Sequence, residues 1–337
     1  MTQQTVTLKQ LLNQLEALRI PFTAGVGGVG LAGGSGETTI IAPASLGEVQ
    51  AVAGGAQLSF ATDQARYADS IHRALAAGAV VLVPAPAENG EQESAPAEGG
   101  NPAPTEDSGL AGVAIAVPNP RAVFAQLVAE FFVAKPQPEI AATARIHPSV
   151  RVPASVSVGE YSVVRAGVVL GEGVMIRDHV VIGERVQIGA GSLIKSHAVI
   201  GEEGFGIEVD SEGNNIRIPH IGSAVLGENT EIGCFTTVCS GTLTPTRIGD
   251  HSKIDDHVHI AHNAQLASNV IVTACAEVSG SVRIADRVWL GPNSSIKEGL
   301  TVGEGALLGL GAVAVKSVPT GEIWVGNPAK PLPPRAN

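Results

Sequence analysis

Beginning at Ile146, every sixth residue is Ile, Val or Leu: Val152, Val158, Val164, Leu170, Ile176, Ile182, Ile188, Ile194 and Ile200 follow in turn. The register resumes at Leu226, Ile232 and Val238, and after a four-residue insertion it runs from Ile248 to Leu308. All 24 positions obey the rule, which chance does not produce. A period of six matches neither the helical repeat of about 3.6 nor the strand repeat of about 2. It fits short strands joined by tight turns, each sending one aliphatic side chain into a shared bore. Three strands make a triangular coil of 18 residues, so the 24 positions predict about eight coils. Such coils stack at the usual strand spacing of ~4.8 Å. Gly follows the aliphatic residue at eleven positions, Gly159, Gly183 and Gly303 among them, and the expected reason is a sharply turning backbone.

Two stretches leave the register. Residues 201–225 are polar and Gly-rich and read as a long loop, and residues 239–247 as a shorter excursion. Loops projecting from a rigid solenoid are where binding usually resides. The solenoid is expected over 140–318, with 319–337 as a terminal cap and tail.

A different pattern precedes it, and residues 1–135 read as a small α/β domain. Leu8, Leu11, Leu12, Leu15 and Leu18 have helical spacing, Val80–Val83 and Val113–Val117 read as buried strands, and Arg121–Val133 as a helix. Between the strands, 84–109 is rich in Pro, Glu and Gly and is expected to be disordered, since it holds too little apolar surface to offset its ordering entropy.

Composition narrows the functions. Only 3% of residues are aromatic, as suits a narrow bore filled by branched aliphatics. A net charge of −11 without basic clusters argues against a nucleic-acid partner. The opening MTQQTVTLKQ shows no secretory leader, and no apolar stretch approaches the ~20 residues of a membrane span. Cys234, Cys239 and Cys275 lack zinc-site spacing and read as reduced thiols, so a cytoplasmic location is expected.

Candidate chemistry centres on His262. It lies two residues after the inward Ile260, so its side chain is expected outside near a corner. Gly280 follows 18 residues later, one coil on, and is expected directly above it. An imidazole can take a proton from an attacking amine. A Gly N–H above it can hydrogen-bond the oxyanion of a tetrahedral intermediate. Asp255, at the start of the same coil, is a candidate to orient the ring. An outward histidine on its own is more often a solvated surface residue.

The segment DDHVHIAHNAQ, with IAHN at 260–263, resembles the catalytic segment of the UDP-3-O-acylglucosamine N-acyltransferases, lipid A enzymes that use acyl carrier protein thioesters. GEEGFG at 201–206, IRIPHIG at 216–222 and ENTEIG at 228–233 agree with it. So do LSF at 58–60, AVVLV at 79–83 and AVPNPRAVFAQL at 116–127, so the resemblance extends over nearly the whole chain. It implies a mainly β protein: a left-handed parallel β-helix of hexapeptide repeats behind an N-terminal uridine-nucleotide-recognition domain. It also implies a homotrimer with sites between adjacent β-helices. His262 would be the base on the sugar 2-amino group and Gly280 the oxyanion donor. Phe60 and Tyr67 would hold the uracil, and Phe205, His259 and Asn263 are further candidates for substrate binding. The partners implied are a UDP-amino sugar and an acyl thioester of carrier protein or coenzyme A, with no metal or other cofactor.

Some residues depart from the family's pattern. CSGTLTPT at 239–246 stands where the family has DRGALDDT, Gly299 where it has a second His, and the chain ends in VGNPAK at 325–330, as coenzyme A acetyltransferases do. Three alternatives therefore stand beside the lipid A reading. One is a coenzyme A-dependent N-acyltransferase on another nucleotide-linked amino sugar for surface polysaccharide. Another is a zinc enzyme of the γ-carbonic anhydrase type using His257, His259 and His262, whose different strand positions argue against convergence. The third is a non-catalytic scaffold.

Overall fold

The computed structural model describes residues 6–20, 23–26, 29–30, 39–43, 56–63, 66–77, 79–85, 113–134 and 137–333. The chain divides into two compact units, Met1–Pro136 and Gln137–Asn337.

The first unit is an α/β domain. In chain order its elements are β1 (Val6–Thr7), α1 (Leu8–Ala17), β2 (Thr23–Val26), β3 (Val29–Gly30), β4 (Thr39–Pro43), β5 (Ala56–Phe60), α2 (Ala68–Ala76), β6 (Val80–Pro84), β7 (Val113–Val117) and α3 (Pro120–Phe131). The seven strands form one sheet in the order β1-β4-β5-β6-β7-β2-β3, with β4 through β7 parallel. α1 starts where Thr7 and Gln10 cap each other's backbone amides, and it buries Leu8, Leu11 and Leu15. Leu18, expected on the same apolar stripe, is the C-cap and is exposed. α3 starts at Asn119, whose Oδ1 accepts the Ala122 N–H, with Pro120 in the first turn. The loop expected at 84–109 lies, from residue 86 on, outside the described residues.

The second unit is the parallel β-solenoid that the period predicts. Its strands form three sheets of nine, seven and ten strands. Strands of the first face run from Arg145–Ile146 to Val313–Ala314, those of the second from Val169–Leu170 to Thr301–Val302. The third face runs from Ser157–Val158 to Ile323–Val325, with Lys330–Pro331 added antiparallel. Lateral pairs are 18 residues apart along the uninterrupted repeat, as in Val163↔Val181 and His259↔Glu277, and 16 apart in the last coil, as in Leu307↔Ile323. The inward aliphatics from Val158 to Leu308 are all buried in one continuous cluster. Each such side chain contributes ~1.5–3 kcal/mol on burial.

A second buried position lies at the corner before most strands and takes Val, Ala, Ser or Thr; before Thr301–Val302 it is the half-buried Leu300. The Ser and Thr hydroxyls there close the corner backbone: Ser162 Oγ donates to Arg177 O at 2.6 Å and accepts from Val180 N at 3.0 Å, and Thr236 does the same between Asp255 O and Val258 N. The repeat also continues beyond Leu308, with Ala314, Val318 and Trp324 extending the core.

The glycines after the inward residues have a different cause from the one expected. Of the eleven, Gly201 alone has positive φ. At the others the next coil passes so close that no side chain fits. A Cβ on Gly233 would lie 2.3 Å from the Asp255 carbonyl carbon. Left-handed backbone instead falls three residues after the inward position, as at Tyr161, His179, His197, Phe235 and His257. On the edge between the third and first faces these five rings form one stack, with successive centroids 5.3, 4.9, 4.7 and 5.1 Å apart.

Close stacking of coils makes a prediction. Gly233→Ala should destabilise the solenoid by about 1–3 kcal/mol. Ser211→Ala, at an exposed position of the first insertion, should move the melting temperature much less. Equal shifts in thermal denaturation would show that coil spacing is not the reason for glycine.

Candidate active site

Each coil passes from the first face to the second across one edge. Both insertions, His262 and Gly280 project from that edge, following the strands that end at Ile200, Val238, Ile260 and Val278. The first insertion is more than a loop: Ile207–Val209 pairs antiparallel with Asn215–Arg217 as a hairpin. Arg217 ties the hairpin to the segment before it, donating from Nε to Glu203 at 3.0 Å and from Nη2 to Gly204 O at 3.0 Å.

The second insertion wraps Asn263. Its Oδ1 accepts from Thr242 N at 3.2 Å and Thr242 Oγ1 at 2.8 Å, while Nδ2 donates to Thr244 O at 3.2 Å. Those partners fix the amide orientation. His262 Nδ1 lies 3.1 Å from the same Oδ1, which can only accept. The proton therefore sits on Nδ1, and Nε2 carries the free lone pair that a base requires. The half-buried His262 is thus held in a base-competent tautomer by the residue that follows it.

Gly280 lies over the imidazole. A Cβ there would be 2.8 Å from His262 Cε1 and 3.0 Å from Nε2, so any side chain would displace the ring. The Gly280 carbonyl accepts from Gly299 N at 2.9 Å and Ser281 N donates to His262 O at 3.0 Å. The Gly280 N–H makes no hydrogen bond among the described residues. Comparable turn amides are capped by aspartates of the next coil, as Glu160 N is by Asp178 at 2.9 Å and Ser268 N by Asp286 at 2.8 Å. The next coil places Glu298 at that position.

A second imidazole reaches the site from the first insertion. The His220 ring meets His262 edge-on, centroids 4.9 Å apart. His220 Nδ1 donates to Ile218 O at 2.9 Å, so its Nε2 is a lone-pair acceptor, buried and without a partner among the described residues. Gly204 and Gly206 make room for it: a Cβ on either would come within 3.1 Å of the His220 ring. Burial, reinforced by the nearby His262 and Arg217 charges, holds His220 below the ordinary imidazole pKa. His220 and the buried Ser240 line a polar recess of about 180 Å³ together with Arg165, Arg185 and Glu202.

The other sequence candidates fall in separate places. Asp255 is exposed on the preceding edge, and the imidazole's partner is Asn263 instead. His259 points outward on the first face between Thr237 and Glu277. Phe205 is 79% exposed in the first insertion. In the other unit, Phe60 packs on Phe124 at 4.8 Å, and Tyr67 caps α2 with the Arg66 guanidinium 5.5 Å from its ring. His257 belongs to the ring stack, His259 to a face and His262 to the next edge, so the three do not converge. Among the described residues no three His, Cys, Asp or Glu side chains are grouped to hold a metal. The cysteines are free thiols, and burial pushes Cys239 up to about 11. No helix among the described residues is long and apolar enough to cross a membrane.

The profile of the bacterial transferase hexapeptide family, six repeats long, matches residues 167–202 and 245–280. These two stretches of the solenoid carry the repeat that the family is built on. The chain is similar to UDP-3-O-acylglucosamine N-acyltransferases of Polynucleobacter asymbioticus (31% identical, over 40% of this chain and 45% of the relative) and Maricaulis maris (43%, over 43% and 42%). It thus spans less than half the length of these relatives. The matches cover less of the chain than the motif resemblance suggested. Among solved structures it is similar to LpxA from Acinetobacter baumannii (28% identical, TM-score 0.53, covering 57% of this chain and 73% of that one). It also matches the UDP-N-acetylglucosamine acyltransferase from Campylobacter jejuni (26%, TM-score 0.52, covering 58% and 74%). The hexapeptide solenoid is therefore a left-handed β-helix of their kind.

The depressed His220 pKa sets a pH dependence. The unfolded chain takes up this proton near the ordinary value of 6.5 and the folded chain only at lower pH. Stability from this residue is therefore complete above about 6.5 and is lost as the pH falls towards the folded value. Melting temperatures of the parent should drop below pH 6.5, and His220→Gln should show a smaller drop. Identical pH profiles would remove the buried neutral imidazole.

Proposed function

We propose that this edge catalyses N-acylation of a nucleotide-linked amino sugar by an acyl thioester. The observation that carries the reading is His262, with Nδ1 pinned by Asn263, beneath a Gly280 N–H, neither Nε2 nor that N–H having a hydrogen-bond partner among the described residues. The sugar amine attacks the thioester carbonyl while His262 Nε2 takes its proton. The oxyanion of the tetrahedral intermediate accepts a hydrogen bond from Gly280 N–H. Collapse breaks the C–S bond, and the proton on His262 passes to the departing sulfur. This step needs one base and one donor, worth about 10²–10⁴ and 10²–10³ in rate.

The similarity to UDP-3-O-acylglucosamine N-acyltransferases favours a 3-hydroxyacyl group from acyl carrier protein, the 2-amino group of UDP-3-O-acylglucosamine as acceptor, and lipid A biosynthesis as the setting. Phe60 and Tyr67 are then the residues to hold uracil, and Phe205, His259 and Asn263 contact substrate. A homotrimer with sites between β-helices, in the cytoplasm, goes with that reading. A second reading rests on the departures at 239–246, Gly299 and 325–330. In it the donor is an acyl-coenzyme A and the acceptor another nucleotide-linked amino sugar.

His262→Ala should lower kcat about 10²–10⁴-fold with an unchanged melting temperature. Unchanged turnover would remove the base. A panel of carrier-protein and coenzyme A thioesters, offered with UDP-3-O-acylglucosamine and simpler UDP-amino sugars, separates the two readings. Long-chain carrier-protein thioester with the acylated acceptor supports the first. Short acyl-coenzyme A on an unacylated sugar supports the second, and no turnover across the panel rejects both.

A further inference from the structure

Beside the catalytic edge, the second face carries a column of outward side chains in which Arg247 pairs laterally with Gln265, and Gln265 with Arg283. These three, with Asn263, Ser281 and Thr244, line an open cleft of about 500 Å³. Asn263 follows His262 and Ser281 follows Gly280 in the chain, so the cleft lies beside the candidate catalytic groups.

The cleft is basic in an acidic chain. With a net charge of −11, acidic partners are plentiful, and Arg165, Arg185, Arg217 and Arg287 each pair with a glutamate. The Arg247 and Arg283 guanidiniums are exposed and enter no ion pair or hydrogen bond among the described residues; those of Arg145, Arg151 and Arg177 are unpaired as well but do not line the cleft. Gln265 donates from Nε2 to Pro245 O at 2.9 Å and Asn263 O at 3.3 Å, and its Oε1 accepts from neither guanidinium. Thr244 and Pro245 put no carboxylate into the cleft, although they stand where the DRGALDDT pattern has two aspartates.

Two guanidiniums two strands apart, about 10 Å between their backbones, can close from both sides on one anion. Their planar forks match phosphate oxygens, and charge-assisted bonds of this kind are the strong ones. We propose that Arg247 and Arg283 form a subsite for a phosphate ester or diphosphate, carried by a substrate whose reacting end reaches His262. That group is found in two places: the diphosphate of a nucleotide-linked sugar and the phosphates of coenzyme A. The anion site stands on the cleft alone, and its assignment to a co-substrate rests on the acyl-transfer reading.

Calorimetric titration of the full chain at low ionic strength, with inorganic pyrophosphate, coenzyme A and UDP-N-acetylglucosamine as separate probes, tests it without turnover. The parent should bind pyrophosphate, and the Arg247→Ala/Arg283→Ala double variant should bind it at least about tenfold more weakly, with an unchanged melting temperature. A matching loss for coenzyme A alone assigns the subsite to the donor, and for UDP-N-acetylglucosamine alone to the acceptor. No pyrophosphate binding by the parent, equal binding by the double variant, or a loss confined to pyrophosphate would overturn the proposal. His262→Ala should keep pyrophosphate affinity while losing turnover, so failure of the acylation reading is told apart from failure of the subsite.

Discussion

A coil of this solenoid finds partners for its backbone amides in the coils above and below it. Gly171 N reaches Ile188 O and Gly189 N reaches Leu226 O, and the same bond recurs along each face. That ladder demands that successive coils lie one strand spacing apart, and the demand propagates outward. It admits one aliphatic side chain per strand into the bore, small residues at the buried corners, and no Cβ where two backbones pass at Gly233 and Asp255. Because each rung of the ladder joins only neighbouring coils, the architecture behaves as a one-dimensional array.

The same constraint places the chemistry. A residue and its counterpart one coil later must overlie one another, so His262 and Gly280 meet whatever their surroundings. Surroundings decide what the imidazole can do. The solenoid presents His262, whereas the second insertion, through Thr242, Thr244 and Asn263, fixes which nitrogen holds the proton. Rigidity comes from the repeat and protonation state from the interruption of the repeat.

This division explains what was legible in the sequence. The bore residues and the pairing of His262 with Gly280 follow from a period of 18, which is arithmetic on one string of letters. His220 is invisible to that arithmetic because it lies inside the first insertion, where register carries no information, although it sits in the IRIPHIG motif. Asp255 is near His262 along the chain, but the first face separates their edges, and the partners that hold Asn263 in place come from the second insertion. The glycines were read as turn residues because turning and close approach leave the same mark in a sequence. Distances between coils tell them apart.

Both insertions depart from one edge and rejoin the register at the next strand. Leu226 and Ile248 resume the bore as if nothing had intervened. The entropy of closing such an excursion grows only with the logarithm of its length. That edge is therefore a site of low resistance to evolutionary change, where segments can be lengthened, shortened or exchanged while the scaffold keeps its shape. Specificity can diverge there faster than the repeat that supports it.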